Sequence, residues 1–338
     1  MMTREERLKA SIAGMETDRV PYSLWYHLPK VDQDPLALAQ EQIDLAELYG
    51  LDFIKMMPFG NYGAQDYGLS VDFFCTETQP AFERRFGIWD PTDWGNIEPL
   101  PACYGTYGKQ VQLAQYTQRL TKGKNIPFIQ TIFSPFTTAK KLAGPRIFQD
   151  MLTHPHLLHS ALQAITETTI NFVKVNIDAG VSGFFFATQC ASSDYLTPEQ
   201  HEVFCEPYDL QVIASYQECT WLNILHLHGE HTYFEHVANT YPCNVINWHD
   251  RWTAPTMAEA RGLTNKCLAG GINEKWLETA HRHEVEGHIR ESLTAGGVRG
   301  RILAPGCCIE LGTPRENILE VKHVIESMFL TKSSDRAK

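Results

Sequence analysis

The stretch WLNILHLHG, residues 221–229, combines an apolar, strand-like run with two histidines close to its end. Successive side chains of a β-strand point to opposite faces, so His226 and His228 lie on the same face. Gly229 follows directly and marks the end of the run. We therefore expect a buried strand that places two imidazoles side by side where the strand ends.

Seven further apolar runs recur along the chain, and residues with a helical pattern separate each run from the next. They are VPYSLWY (20–26), DFIKMMP (52–58), PFIQTIF (127–133), GFFFATQ (183–189), VINWHD (245–250), KCLAGGI (266–272) and RILAPG (301–306). Eight strands that alternate with helices predict an α/β fold, a (β/α)8 TIM barrel, as a single domain over residues 1–338. A doubly wound open sheet is the alternative. Residues 59–126 are too long for one crossover, and we expect them to form an excursion over the barrel mouth.

The composition limits the partners and the location of the protein. With 29 Lys and Arg against 40 Asp and Glu, the net charge of the 338 residues is −11. A surface this acidic argues against nucleic acid and anionic membranes as partners. The N-terminus lacks the apolar core of a secretory signal, and the nine cysteines show no disulfide pattern. These features favour a cytoplasmic protein that acts on a small molecule; a homodimer is possible.

The ends of the predicted strands carry the residues with the strongest chemistry. Active sites of α/β barrels lie at the carboxyl ends of the strands, where His226, His228 and Cys307 are expected to meet. Histidine nitrogen and cysteine sulfur are the preferred ligands of zinc, and three protein ligands with one open position are typical of a catalytic site. The histidines could instead bind backbone carbonyls, and Cys307 could be a small buried hydrophobe. We predict that these three residues bind Zn²⁺.

Other polar residues near strand ends are candidates for substrate binding. His249 and Asp250 end the run beside the histidine strand and could orient a substrate or support the metal ligands, whereas a helix cap at Asp250 is the alternative. Gln189, Tyr26 and Lys141 are further candidates. The predicted substrate-binding set is therefore His249, Asp250, Gln189, Tyr26 and Lys141.

Several segments together resemble the uroporphyrinogen decarboxylase superfamily over about residues 3–328. The resemblance rests on TREERLKASIAGMETDRVP, SPFTTAKKLAG, AGVSGFFF with LTPEQHEVFCEPY, ILHLHGE and APGCCIELGTPRENI. It implies a (β/α)8 barrel, in agreement with the strand count. Decarboxylases of this superfamily use arginines in a first-strand loop and an aspartate after the second strand. The matching segments, SLWYHLP and IKMMPFG, contain neither.

The resemblance is closer to the zinc-dependent corrinoid methyltransferases of the methylcobalamin:coenzyme M type. The metal ligands of that branch carry over to His226, His228 and Cys307, although His228 stands where the branch has cysteine. The resemblance implies methyl transfer between a corrinoid and a thiol or another small molecule. The cobalamin-binding motif Asp-x-His-x-x-Gly is nearly matched by ILHLHG, but Ile224 replaces its aspartate. We therefore expect a partner protein to supply methylcobalamin or another corrinoid.

Two other functions are consistent with the same sequence. The first is a lyase that decarboxylates a carboxylated substrate without a metal. The second is a non-catalytic protein that binds zinc or a small molecule on the same scaffold. Bound zinc separates the transferase from the lyase, and reaction with methylcobalamin separates the transferase from the binding protein.

Overall fold

The computed structural model describes the backbone of residues 1–335 and the side chains of residues 1–328. Nine strands are present in this part of the chain: β1 (Ile54–Lys55), β2 (Ser70–Asp72), β3 (Phe82–Arg85), β4 (Phe128–Phe133), β5 (Gly183–Thr188), β6 (Ile224–Leu227), β7 (Val245–Asn247), β8 (Cys267–Ile272) and β9 (Arg301–Pro305). Seven of them form one parallel sheet in the order β1-β4-β5-β6-β7-β8-β9, and β2 pairs with β3 in a separate antiparallel ribbon.

Helices connect the strands of the parallel sheet. The same 335 residues contain fourteen α-helices: α1 (Arg4–Ile12), α2 (Pro35–Tyr49), α3 (Tyr62–Gln65), α4 (Gly105–Leu120), α5 (Pro135–Ala143), α6 (Ile147–Thr153), α7 (Pro155–Asp178), α8 (Pro198–Phe204), α9 (Glu206–Ala214), α10 (Phe234–Thr240), α11 (Met257–Leu263), α12 (Trp276–Thr279), α13 (Arg282–Gly296) and α14 (Arg315–Asp335). None of these helices combines the length and apolar character that crossing a membrane requires.

The eighth position of the barrel is filled by the first apolar run, residues 20–26. This run forms a single parallel bridge, between Tyr22 and Leu303 of β9, rather than a full strand. The backbone nitrogen of Leu303 donates to the oxygen of Pro21, and Ser23 donates to the oxygen of Leu303. On its other side the run accepts a hydrogen bond at Tyr22 from Asp52, just before β1. The run therefore closes the sheet, and the predicted (β/α)8 fold is confirmed.

Alternation along the strands separates the inside of the barrel from the helix layer. On β5, Phe185 and Ala187 belong to the apolar cluster inside the barrel, whereas Phe184 and Phe186 belong to the larger cluster formed with the helices. Strands covered on both faces are expected to read as continuous apolar runs, as GFFFAT does. Ile224 of β6 belongs to the inner cluster. His226, two residues further along the same strand, therefore points inward as well.

Residues 59–126 connect β1 to β4 and contain α3, the β2–β3 ribbon and α4. Helix α4 packs against α2, as a crossover helix of a barrel does. The part before α4 contributes Gly60 and Pro80 to the wall of a cavity that also includes strand ends. The organisation as one domain with an excursion over the mouth stays a prediction.

The carboxylate of Asp52 links the closing segment to the rest of the barrel. Arg7 of α1 contacts its Oδ1 atom at 2.6 Å, and Arg19 contacts its Oδ2 atom at 2.6 Å. The backbone N–H of Tyr22 donates to the same Oδ2 atom at 2.8 Å. The Asp52 side chain is completely buried, and Arg7 is nearly so. Ion pairs buried in this way are held in one geometry, and loss of one partner leaves an uncompensated charge.

We expect Asp52→Ala to lower the free energy of unfolding by about 3–5 kcal/mol, because two arginines lose their shared anion. Urea unfolding followed by tryptophan fluorescence measures this change. Glu5→Ala is the matched control, since Glu5 pairs with Lys9 on the exposed surface of α1 and such pairs add little stability. Equal urea midpoints for the two variants would contradict a role of Asp52 in barrel closure.

Candidate metal centre

His226 points into the barrel and its tautomer is fixed by the neighbouring strand. It pairs in register with Asn247 of β7, and its Nδ1 atom lies 2.7 Å from the Asn247 Oδ1 atom. The Asn247 Nδ2 group donates to the backbone oxygens of Ala269 and Pro305, each at 3.0 Å. Because these two bonds use both donors, Oδ1 must face His226 and accept from Nδ1–H. The Nε2 atom of His226 is therefore left with a free lone pair.

Three further side chains converge with His226 at the carboxyl ends of β6, β7 and β9. The ligand atoms of His226, His228, His249 and Cys307 all lie within 4.8 Å of one another. The Sγ atom of Cys307 is 3.7 Å from Nδ1 of His228, and Nε2 of His249 is 3.2 Å from that same Nδ1. The structure thus brings the three predicted metal ligands together and adds His249, predicted to bind substrate, as a fourth.

Glu274, which follows β8, holds His249 in place. Its Oε1 atom lies 2.6 Å from Nδ1 of His249 and accepts a hydrogen bond from Nε1 of Trp252 at 3.0 Å. Its other oxygen accepts from the backbone N–H of Gly306, directly before Cys307. Carboxylates that orient histidines in this way are typical partners of metal-binding imidazoles. Glu274 therefore leaves Nε2 of His249 directed toward His228.

Burial keeps the imidazoles of His226 and His228 neutral. Burial, and next the neighbouring His249, lower the pKa of His228 to about 4. The same two causes hold the pKa of His226 well below its usual value. The pKa of the Cys307 thiol is raised by its hydrogen bond to Cys308 and by burial. The two histidines consequently offer lone pairs at neutral pH, which is the form that metal ions bind.

The donor set fits a zinc ion. Zinc bonds of about 2.0–2.1 Å to nitrogen and 2.3 Å to sulfur place tetrahedral ligands about 3.3–3.6 Å apart. The Nδ1 atom of His228 is 3.2 Å from Nε2 of His249 and 3.7 Å from Sγ of Cys307. Both distances are close to those expected between two ligands of a tetrahedral zinc ion. Nitrogen and thiolate donors also match the preference of zinc rather than that of magnesium or calcium.

A cavity of about 510 Å³ opens above the cluster, and its walls include three of the predicted substrate-binding residues, Gln189, Lys141 and the cluster residue His249. Tyr26 does not line it; this side chain borders a different cavity of about 470 Å³, together with Glu41 and Arg315. Asp250 is buried away from the cavity and accepts the backbone N–H of Gly271 at 2.9 Å. The structure therefore places Gln189 and Lys141 near the cluster, but not Tyr26 or Asp250.

Lys55 lines the cavity and was not among the predicted site residues. Its ammonium lies 4.3 Å from the centre of the Phe185 ring and 5.8 Å from that of Trp25. The Nζ atom contacts the sulfur of Met57 at 2.8 Å, and no ion pair with an acidic residue is found for it among the described side chains. Burial lowers its pKa. Phe53 and Met57 both belong to the apolar cluster inside the barrel, so position 55 between them also points inward. A lysine at that position is the sequence signal that identifies Lys55.

Comparison with known proteins identifies the family. The model of the uroporphyrinogen decarboxylase (URO-D) family matches residues 3–328. The chain belongs to the uroporphyrinogen decarboxylase family. It is 23% identical over 333 residues to methylcobamide:CoM methyltransferase MtbA of Methanosarcina mazei, covering 94% of this chain and 95% of that protein. It is 25% identical to uroporphyrinogen decarboxylase of Hordeum vulgare over 228 residues, 66% of this chain and 62% of the relative.

A solved structure supports the same assignment of the fold. A methyltransferase from Methanosarcina mazei has a TM-score of 0.80 at 18% identity, with 97% of this chain and all of the other covered. The prediction that this chain is a family member related to the methylcobamide methyltransferases is confirmed, as is the prediction that it is an enzyme. The identities of the metal ligands and substrate-binding residues stay predictions.

We expect Asn247→Ala to weaken zinc binding by about 10–100-fold, because His226 loses the acceptor that fixes its ring. Competition with a chromophoric chelator measures the affinity. Asn239→Ala is the control, since the Asn239 side chain donates to backbone oxygens on the exposed surface of α10. Unchanged affinity in Asn247→Ala, with the fold intact by circular dichroism, would contradict the role given to His226.

Proposed function

We propose that this protein is a zinc-dependent methyltransferase that moves a methyl group between a corrinoid on a partner protein and a thiol or other small molecule. The observation that carries the proposal is the convergence of imidazole nitrogens and one cysteine sulfur at the base of a cavity. Relatives named as methylcobamide:CoM methyltransferases match over almost their whole length, which supports the same conclusion. The nine free cysteines fit a reducing cytoplasm.

In this proposal His226, His228 and Cys307 are the permanent ligands, through Nε2, Nδ1 and Sγ respectively. When bound, zinc lowers the pKa of a coordinating thiol, so that thiolate is available at neutral pH. His249 would be a fourth ligand in the absence of substrate and would leave that position to the substrate. Its hydrogen bond to Glu274 would keep the ring beside the substrate.

The walls of the cavity position the acceptor and limit water around it. Trp25, Phe185 and Trp252 provide aromatic surface next to the donor cluster, and a nucleophile with fewer water contacts is more reactive. In the transfer, a sulfur–carbon bond forms as the carbon–cobalt bond breaks, and the bonding electron pair remains on cobalt. The thiol proton is released to water before this step, so that a thiolate attacks the methyl carbon.

The size of the cavity supports delivery of the corrinoid by another protein. A volume of about 510 Å³ is typical of sites for small molecules, and a corrinoid is several times larger than such molecules. The methyl-bearing face of the corrinoid must therefore approach from outside the mouth. The isoleucine at position 224, which replaces the aspartate of the cobalamin-binding motif, is consistent with a corrinoid bound elsewhere.

Two lysines in the cavity favour a substrate with an anionic group. Neither Lys55 nor Lys141 forms an ion pair with an acidic side chain in the described part of the chain; Nζ of Lys141 donates to the oxygen of Gly60 at 2.6 Å. A cation as buried as Lys55 is rare unless it is paired, and a carboxylate or sulfonate on the substrate would supply the missing charge. The same two lysines are also consistent with a second function, the decarboxylation of a carboxylated substrate without a metal.

We expect Cys307→Ala and His228→Ala each to remove one zinc per chain and to lower the rate of methyl transfer by about 100-fold or more, because the thiol is no longer activated. Metal analysis and the loss of methylcobalamin absorbance in the presence of 3-mercaptopropionate measure the two effects. Cys219→Ser, at an exposed thiol, is the control.

One outcome would favour the lyase instead. If carefully prepared protein holds no zinc in the cluster, and releases carbon dioxide from a carboxylated substrate at rates unaffected by Cys307→Ala, methyl transfer is not its reaction. A protein that binds zinc but neither transfers methyl groups nor releases carbon dioxide is the binding protein considered above.

We expect 3-mercaptopropionate to have a kcat/KM at least about 10-fold above that of 2-mercaptoethanol. The reason is that a hydrogen bond between its carboxylate and a lysine ammonium stabilises the bound thiol. Lys55→Met and Lys141→Met should reduce this preference, whereas Lys174→Met, on the exposed face of α7, should keep it. If all three variants prefer 3-mercaptopropionate over 2-mercaptoethanol to the same extent, Lys55 and Lys141 do not recognise the carboxylate. Methionine preserves side-chain volume and removes a buried charge, so the variants are expected to fold.

The preference for the anionic thiol should also depend on pH. Burial lowers the pKa of Lys141 to about 8, with Glu83, Lys140, Cys190 and Cys308 as the other titratable groups around it. The ammonium is present below that pKa and is lost above it, so kcat/KM for 3-mercaptopropionate relative to 2-mercaptoethanol falls as pH rises through about 8. Lys141→Arg keeps its charge and shifts this decline to higher pH. An identical profile in wild type and Lys141→Arg would contradict the assignment.

A further inference from the structure

A second group of potential metal ligands lies in the helix layer, outside the barrel. His201 belongs to α8, Glu206 begins α9 and His236 belongs to α10. One ligand atom from each of the three lies within 4.8 Å of the others. Nε2 of His236 is 2.6 Å from Oε2 of Glu206, and the rings of His201 and His236 meet edge to face with centroids 6.1 Å apart. Three helices therefore contribute one ligand each to a single point.

Within this group, His201 is a buried residue whose ring nitrogen lacks a hydrogen-bond partner. Only 1% of it is exposed, and its Nε2 atom is buried without a hydrogen-bond partner. Buried polar atoms in folded proteins nearly always have a partner, and an exception points to a missing ion or water. Burial also lowers the pKa of His201 to about 4, so its ring is neutral at physiological pH. A neutral imidazole whose Nε2 atom has no partner is suited to metal binding.

The other two ligands give the site its charge and its opening. The side chain of His236 is 41% exposed and that of Glu206 is 20% exposed, so the cluster reaches solvent on one side. Two neutral imidazoles and one carboxylate carry a net charge of −1, which favours a divalent cation. This donor set is one of those that bind zinc with three protein ligands and leave the fourth position to water.

We propose that His201, Glu206 and His236 bind a second divalent ion, with zinc as the favoured metal, and that the ion joins α8 and α9 to α10. Helix α10 follows the loop 228–233, which starts at His228 of the barrel cluster. Tyr233 in that loop already donates to the oxygen of Leu196. The ion adds a connection between the same two regions. It therefore restrains the loop that carries one ligand of the first site.

The test uses full-length protein in which Cys307→Ala and His228→Ala are combined, so that zinc in the barrel does not contribute. We expect this variant to bind one zinc per chain. Adding His236→Ala or Glu206→Gln should abolish that binding, whereas adding His323→Ala, at an exposed histidine of α14, should not. Equilibrium dialysis against zinc, followed by metal analysis, measures the stoichiometry.

Thermal unfolding gives a second readout that does not depend on catalysis. A 100-fold excess of zinc over its Kd should raise the Tm of the double variant by about 2–5 °C, and the rise should vanish with His236→Ala. Absence of zinc binding by the double variant would overturn the proposal and leave Glu206 and His236 as a simple hydrogen-bonded pair. Zinc binding that survives both His236→Ala and Glu206→Gln would overturn it as well. Neither result bears on zinc in the barrel, which the single variants at Cys307 and His228 test.

Discussion

The candidate centre depends on the in-register pairing of parallel strands. Pairing of β6 with β7 sets His226 opposite Asn247, and pairing of β7 with β8 sets Asn247 opposite Ala269, whose oxygen it binds. A shift of β6 by one residue would turn His226 into the helix layer, because side chains alternate between the two faces. A shift between β7 and β8 would separate the Asn247 amide from the Ala269 oxygen. The orientation of one imidazole is thus a property of three strands. The closing segment at Tyr22, held by Asp52, completes the ring that keeps those strands in order.

Much of this arrangement could be predicted from the sequence because apolar runs and their ends are local features. All eight runs occupy positions of the barrel, and the ends of two of them bring His226, His228 and Cys307 together. The first run forms one parallel bridge, and its Pro21 has no N–H to donate. The buried carboxylate of Asp52 holds the segment as well, through Arg19 and the backbone of Tyr22. That network joins residues far apart in the chain, which no local pattern reports.

Two of the predicted substrate-binding residues lie away from the cavity for one common reason, the parity of neighbouring residues. Trp25 points into the barrel, so Tyr26 beside it points out toward another cavity. His249 joins the cluster, so Asp250 beside it turns toward Gly271. Applied along 52–58, the same rule identifies Lys55 as an inward residue. Glu274 could not be found in this way, because it follows β8 in a loop whose path depends on tertiary contacts.

The balance of donors distinguishes this centre from one built on two thiolates. In the proposed centre, a divalent ion with one thiolate and neutral imidazoles would retain a net positive charge, and Lys55 and Lys141 would add to it inside a protein whose net charge is −11. Glu274 shapes this centre without being a ligand, because its two oxygens fix the third imidazole and the backbone before Cys307 at once. Shortening this side chain by one methylene would move nitrogen and sulfur donors relative to each other. Metal selectivity could therefore be redesigned at a position that never touches the metal.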